Sequence, residues 1–586
     1  MNNLTTLKPR QRTYLPNEFK ITVWSKVRPY FNELLRREIK SVEDLEKWLL
    51  DRSELTAVIR EEFNWRYVNI SRDTEDQQAA ELYEYGVQEL VPKFAPIENK
   101  LNEKLLNCSF TSELSKEKYF IHLRSIKNNF DLFRKENVPV FTEESLTAKK
   151  HGEIFSKMSV DIQGKPNTIQ QASSFLENTD RELRKEVYQK IASRILQDSQ
   201  PIDEVMTKLV EQRHQIAQNA NFENYRDYKF KALGRFDYTV EDCYNFHESI
   251  AKSIQPINEE LDIWRKKEMG LNQLRPWDTK VDPEKRKALK PFGNAKELVV
   301  KSISTLNKVH PFFGNSIATM EKMGHLDLDS RGGKRPGGYN MPLPITGAPF
   351  IFMNAAGTVK DVCTMLHESG HAVHSFLTHH LKLNSNKSVP SEVAELAAMT
   401  MELITMDSWG VFFDNENDLR RAKIWQLKKI INVLPWIAAI DKFQHWLYTH
   451  PKHSEEERRS QWITIHKEFS SSATDWSGME DYRANLWHRQ LHIFEVPFYY
   501  IEYGFAQLGA IAIWKNYKEN PDVAVQKYIN ALELGYTKPI GEIYKTAGIE
   551  FDFSSGYVSE LGAFVKKELK TLMEIPANYE QVTVVD

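Results

Sequence analysis

The sequence predicts a mainly α protein with a small sheet beside one special helix. Three observations carry that reading. Apolar residues recur at helical spacing along much of the chain. Strand signals are sparse, and the clearest is one short apolar run, PFIFMN, at residues 349–354. No window approaches 18 uninterrupted apolar residues, so no membrane-spanning helix is expected.

Along the chain, the first stretch of about 160 residues reads as helical. Residues 180–197 place Leu183, Val187, Ile191 and Ile195 at steps of four. The next stripe holds Ile202, Val205, Leu209 and Ile216. Both are amphipathic helices whose stripes are core. LQDSQP, at 196–201, breaks between them and suggests a division into an N-terminal helical region, 1–198, and a second domain, 199–586. A third stripe runs through Leu419, Ile424, Leu427 and Ile431, with Pro435 expected to end or kink it. The stretch 325–349 is rich in Gly and Pro and reads as loop. It is not a phosphate loop, because Gly333-Lys334-Arg335 lacks the Ser or Thr that would meet magnesium. A flexible loop over a cleft, at 332–338, is the expectation.

Composition narrows the function classes. The 586 residues carry 78 Lys plus Arg and 81 Asp plus Glu, a formal net charge of -3. A nucleic-acid binder would show a basic excess, so no nucleic-acid partner is expected. With 41% hydrophobic and 27% charged residues the chain is ordinary for a folded soluble protein. Cys108, Cys243 and Cys363 do not make a disulfide framework. MNNLTTLKPRQRTYLPNEFK has no apolar signal core. A reducing cytoplasm, with no membrane partner, is the expected location.

The chemistry sits in TVKDVCTMLHESGHAVHSF, residues 358–376, which contains His367-Glu368-Ser369-Gly370-His371. Thr358 and Asp361 resemble a capping box that starts the helix. Histidines four apart lie on one helical face, one turn apart, where two neutral imidazoles can bind one tetrahedral zinc. Glu368 is badly placed as a ligand and well placed to hold a water on the metal. The bland alternative is two surface histidines and a glutamate. Val362, Met365, Leu366, Ala372 and Val373 speak against it, because they bury the helix, and buried His and Glu need partners. Cys363, four residues before His367, reads as a buried inert thiol. His374 is a candidate outer partner; His379 and His380 read as surface.

A catalytic zinc wants three protein ligands. VPSEVAELAAMTMEL, 389–403, reads as a second helix with Ser391 as N-cap and carries Glu392, Glu395 and Glu402. Glu395 is the assigned third ligand, and Glu402, two turns on, the acceptor that orients a ligand histidine. Spacing leaves Glu392 open as a rival.

These segments resemble the M3 metallopeptidases of the PepF-type oligoendopeptidase kind, from about residue 165 onward. ENTDRELRKEVYQKI, IAQNANFENYRDY, DVCTMLHESGHAVHSF, PSEVAELAAMTMEL, DKFQHWLYTHP and HIFEVPFYYIEYGFAQLGA carry the likeness. The resemblance implies a gluzincin-type zincin with two helical lobes around a deep substrate channel. It places the third ligand in Ala394-Glu395-Leu396-Ala397, which supports Glu395. It also implies that His492 and tyrosines near it, Tyr500 and Tyr503, stabilise the oxyanion, although Tyr499 and Tyr503 also share a face. Where the family has Phe or Leu, this chain has Ser369, which would loosen packing beneath the helix.

The expected function is a zinc oligoendopeptidase acting on short unfolded oligopeptides, with Glu368 as general base and one zinc ion on His367, His371 and Glu395. Substrate would pair with the edge of PFIFMN. The alternatives are a zinc carboxypeptidase or dipeptidyl carboxypeptidase of related fold, and a zinc-containing peptide-binding scaffold without catalysis.

Overall fold

Helices follow one another from Trp24–Arg36 to Ser555–Glu574 in the computed structural model of the chain, which describes residues 9–574. The opening residues read above for a signal therefore lie partly outside the described residues. The protein is mainly α, as the periodicity predicts.

Two large buried cores organise it, with a small third one of Val68, Leu343, Phe350 and Phe352 at the sheet. The smaller of the two large cores runs from Leu15 to Ile126 and takes in Ile345 and Leu383 from later in the chain. The larger one runs from Ile121 to Leu569 and holds the stripe residues Val187, Ile191, Ile195, Ile202, Val205, Leu209 and Ile216. The break at 198 is a corner between the helices Arg181–Gln197 and Ser199–Asn219, both of which feed this larger core. Pro435 neither ends nor visibly interrupts its helix, which continues over Glu416–Thr449.

Five strands occur among the described residues. β1 (Ser159–Ile162) and β2 (Lys165–Thr168) form a hairpin away from the site. β3 (Leu326–Asp329), β4 (Tyr339–Met341) and β5 (Phe350–Ala355) form a sheet in the order β3-β5-β4. β5 is the apolar run singled out in the sequence, and its first four residues are buried. Two expectations are corrected here. The stretch 325–349 is not all loop, since it contributes β3 and β4. The PFIFMN strand is central, parallel to β3 and antiparallel to β4, so its edges are taken. The sheet's outer edges belong to β3 and β4 instead. Strands of three and four residues are too short to show a period, which is why the sequence hid them.

The glycine-rich loop is tied down. Gly333 O accepts from Thr74 N at 2.6 Å, and Arg335 N donates to Ser71 O at 2.9 Å. The Lys334 side chain is buried, with Nζ 2.9 Å from Asp327 Oδ1. This loop is fastened to the end of the long helix Val42–Arg72, so it is not a free flap.

Candidate active site

The motif helix spans Val359–Leu377, and Thr358 and Asp361 exchange both capping-box hydrogen bonds. It packs on the helix Ser391–Ile404, whose cap position is Pro390 with no side-chain cap; Ser391 is its first residue. Gly370 sets how closely the two helices approach. A Cβ there would stand 2.5 Å from Ala397 O and 2.6 Å from Ala398 Cα. Only glycine permits that distance, and it brings the carboxylates of one helix onto the imidazoles of the other. Ser369, buried between the same helices, donates to Met365 O at 2.7 Å, so its hydroxyl is satisfied within its own helix.

Ligating atoms of His367, His371 and Glu395 all lie within 4.8 Å of one another. His367 Nε2 is 3.3 Å from Glu395 Oε2, and His371 Nε2 is 3.9 Å from Glu395 Oε1. Nδ1 of His367 is 2.8 Å from Glu402 Oε1, which leaves Nε2 to face the cluster. Glu402 is itself held by Gln426 Nε2 at 2.7 Å and Lys429 Nζ at 2.9 Å. Burial alone would raise its carboxyl, but Lys429 and His367 outweigh that and hold it down at about 2. Glu392 points elsewhere, accepting from Tyr238 OH at 2.6 Å.

The donor set fits a divalent metal. Glu395 Oε2 is buried without a hydrogen-bond partner. Burial opposes a charged His367, yet Glu395 and Glu402 outweigh it and raise its pKa well above the usual imidazole range. The cluster therefore draws positive charge, and its N and O donors suit zinc. Glu368 lies beside it with Oε2 buried and unpartnered. Burial pushes its carboxyl up to about 7, against the pull of His367. A carboxyl poised near neutrality can take up and release a proton.

A cavity of about 520 Å³ opens over these residues. Gly338, Tyr339 and Asn340 bring the β4 edge to its wall. Asn340 Nδ2 donates to Glu368 O at 3.1 Å, fixing β4 against the motif helix. Arg60 comes from the smaller core's long helix, so the cavity lies between the two cores.

The aromatic segment is arranged differently from its expectation. Tyr499 and Tyr503 line the cavity. Tyr499 OH donates to Glu395 Oε1 at 3.3 Å, and its ring centroid is 5.2 Å from that of Tyr503. Tyr500 is not in the lining; it packs on His492, ring centroids 4.9 Å apart. His492, also outside the lining, is held through Nδ1 by Gln490 Nε2 at 2.7 Å. Tyr499 is thus the residue the sequence reading underweighted. Its one signal was the four-residue step to Tyr503. His374 and His379 also line the cavity, and His380 is exposed. Cys363 is buried, and burial pushes its thiol up, as befits an inert cysteine.

Fold and site define a class: a mainly helical protein in which an HExxH helix meets a glutamate from a second helix in a candidate metal-binding group. The profile of peptidase family M3 matches residues 174–563, and that of the peptidase M3 N-terminal domain matches residues 16–133. The chain belongs to peptidase family M3, a family of peptide-bond hydrolases, and resembles its oligoendopeptidase F members. It is 24% identical over 389 residues to an oligoendopeptidase F homolog of Borreliella burgdorferi, across 64% of this chain and 63% of that one. The match thus spans less than two thirds of that relative. Similarity to oligopeptidase PepF of Bacillus subtilis is 22% over 481 residues, 79% of this chain and 69% of the relative. In fold it is similar to the solved structure of PZ peptidase A with an inhibitor, with a TM-score of 0.88 at 24% identity, covering 94% of this chain and 99% of that one. No helix among the described residues is long and apolar enough to cross a membrane.

Proposed function

We propose that the chain is a zinc-dependent oligoendopeptidase that hydrolyses internal bonds of short, unfolded peptides. The observation that carries this is the joint placement of three ligating side chains and an unpartnered, near-neutral Glu368 on the wall of one cavity. His367, His371 and Glu395 would hold the ion. What zinc supplies when bound is Lewis acidity, which polarises a carbonyl and makes water a nucleophile near neutral pH.

The chain's own residues do the rest. The β4 edge, held by Asn340, offers backbone groups to an extended substrate. Glu368 accepts the proton of the attacking water and passes it to the leaving amine. Tyr503 donates a hydrogen bond to the oxyanion that develops on the scissile carbonyl, and Tyr499, whose hydroxyl donates to Glu395, steadies that ligand. His492, fixed by Gln490 and packed on Tyr500, stands behind them. Glu402 holds His367 in the tautomer that turns Nε2 to the ion. A cavity of this size between two cores admits a single extended chain and excludes folded proteins.

One observation favours a second reading, a carboxypeptidase-type cut. Arg60 and Lys387 line the same cavity, and a cationic wall can hold a terminal carboxylate. Mass spectrometry of a graded series of peptide lengths separates the two. Internal cuts with an upper length limit support the endopeptidase. Stepwise loss from the C-terminus supports the second reading, and no cleavage at all defeats both.

A further inference from the structure

We propose that Cys243, Asp441 and His445, with His247 holding Asp441 from behind, form a second, buried metal site that binds a zinc-class divalent cation and staples two helices of the larger core. The motif is a pair of pairs. Cys243 and His247 are four apart on the helix Val240–Ser253, and Asp441 and His445 are four apart on the helix Glu416–Thr449. Each pair therefore projects from one face, one turn apart.

The helices bring the pairs together. Ligating atoms of Cys243, Asp441 and His445 lie within 4.8 Å of one another, the same closeness that the HExxH cluster meets. Asp441 Oδ2 is 2.9 Å from His247 Nε2 and 3.1 Å from His445 Nε2. Two donors on one tetrahedral zinc, each bonded at about 2.0–2.1 Å, stand roughly 3.3 Å apart. All four side chains are buried, none more than 2% exposed.

Hydrogen bonding alone leaves this cluster unsatisfied. Asp441 Oδ1, His247 Nδ1 and both ring nitrogens of His445 have no hydrogen-bond partner. Elsewhere in the same core, buried carboxylates are answered by arginines: Asp278 by Arg181 and Arg184, Asp203 by Arg458 and Arg459. Asp441 has only imidazoles. A divalent cation would meet the aspartate and the His445 imidazole at once, while His247 Nε2 keeps its bond to Asp441. With Cys243 as thiolate, its proton released to solvent on binding, the charge of the site sums to zero. A mixed S, N and O set suits zinc better than magnesium or calcium. The rings of Phe230, Tyr244 and Phe498 pack around His445, with centroids 5.0–5.7 Å away. Three buried protein ligands would hold the cation, and His247 would orient Asp441 as an outer partner.

The site also bears on the active centre. Gln444, beside His445, accepts from Phe498 N at 2.7 Å. Phe498 has φ of 66°, a left-handed conformation costly for a bulky residue, and it leads directly into Tyr499. Fixing the helix through His445 fixes that turn.

The test is metal content by inductively coupled plasma mass spectrometry. The purified chain should carry about two zinc ions; a His367→Ala/His371→Ala variant, and separately a Cys243→Ala variant, should each carry about one. Because Cys243→Ala can fail to fold, a second measurement uses the His367→Ala/His371→Ala chain expressed in cobalt-supplemented medium. A near-ultraviolet thiolate-to-cobalt charge-transfer band is expected, since the HExxH cluster contains no sulfur ligand. One zinc in the purified chain, none in the double variant and no thiolate band would overturn the proposal. Retention of both zincs by the double variant would instead count against the HExxH reading.

Discussion

His367, His371 and Glu395 on one side, and Cys243, His247, Asp441 and His445 on the other, are built from the same device, side chains four apart on packed helices. They differ in what surrounds them. The first cluster's histidines are partly exposed on a cavity wall, beside a glutamate with a bare oxygen. The second is buried and ringed by Phe230, Tyr244 and Phe498. Donor atoms alone do not make a reaction. An open face and a carboxyl raised toward neutrality set the first cluster apart.

Breaking the oxyanion side should have a large effect, second only to loss of the Glu368 carboxylate. Tyr503→Phe is expected to lower kcat about a hundredfold with little change in KM. Tyr500→Phe should cost far less, because Tyr500 faces His492 and not the cavity. Equal losses in steady-state assays of the two variants would refute this division of roles.

Glu402→Gln tests how the first cluster is oriented. Weakening the bond to His367 Nδ1 should reduce zinc affinity roughly 10–100-fold, read by competition with a chelator. Unchanged affinity would mean that Glu402 merely pairs with Lys429. Gly370→Ala tests the helix contact that makes the cluster. The Cβ clash should destabilise the fold by about 1–3 kcal/mol, visible as a lowered Tm.

The smallest effect concerns a buried carboxylate satisfied without any metal. Burial alone would raise the Asp278 carboxyl, but hydrogen bonds from Arg181 and Arg184 outweigh it and hold it below the usual range. A depressed folded pKa contributes stability above the unfolded value, about 3.9, and that contribution fades as pH falls through the folded value. Asp278→Asn should therefore be less stable than the parent chain at neutral pH, and the gap should narrow below about pH 4. A gap that does not change with pH would sink this account of Asp278.

The same contrast explains what was legible in the sequence. His367 and His371 share a turn, so their spacing alone put them on one face. Thr358 and Asp361 announced the start of that helix. Glu395 and Glu402 were singled out by sitting two turns apart among small apolar residues. The strands β3 and β4 were hidden because each is too short for a pattern. Pro435 misled because a proline signals a break that surrounding packing can override. The choice among Tyr499, Tyr500 and Tyr503 depends on the left-handed turn at Phe498, which no periodicity encodes. The second cluster was invisible for a different reason: His247 and Asp441 are 194 residues apart, and only the packed helices join them.

The central claim is that Glu368 moves the proton while other residues hold the metal. Glu368→Gln keeps the shape of the site and removes the base. Peptide turnover and zinc content, measured on the same preparation, test it most directly. The account predicts turnover lowered by about 10²–10⁴-fold with zinc content equal to that of the parent chain. Turnover that survives the substitution, with zinc still bound, would contradict it.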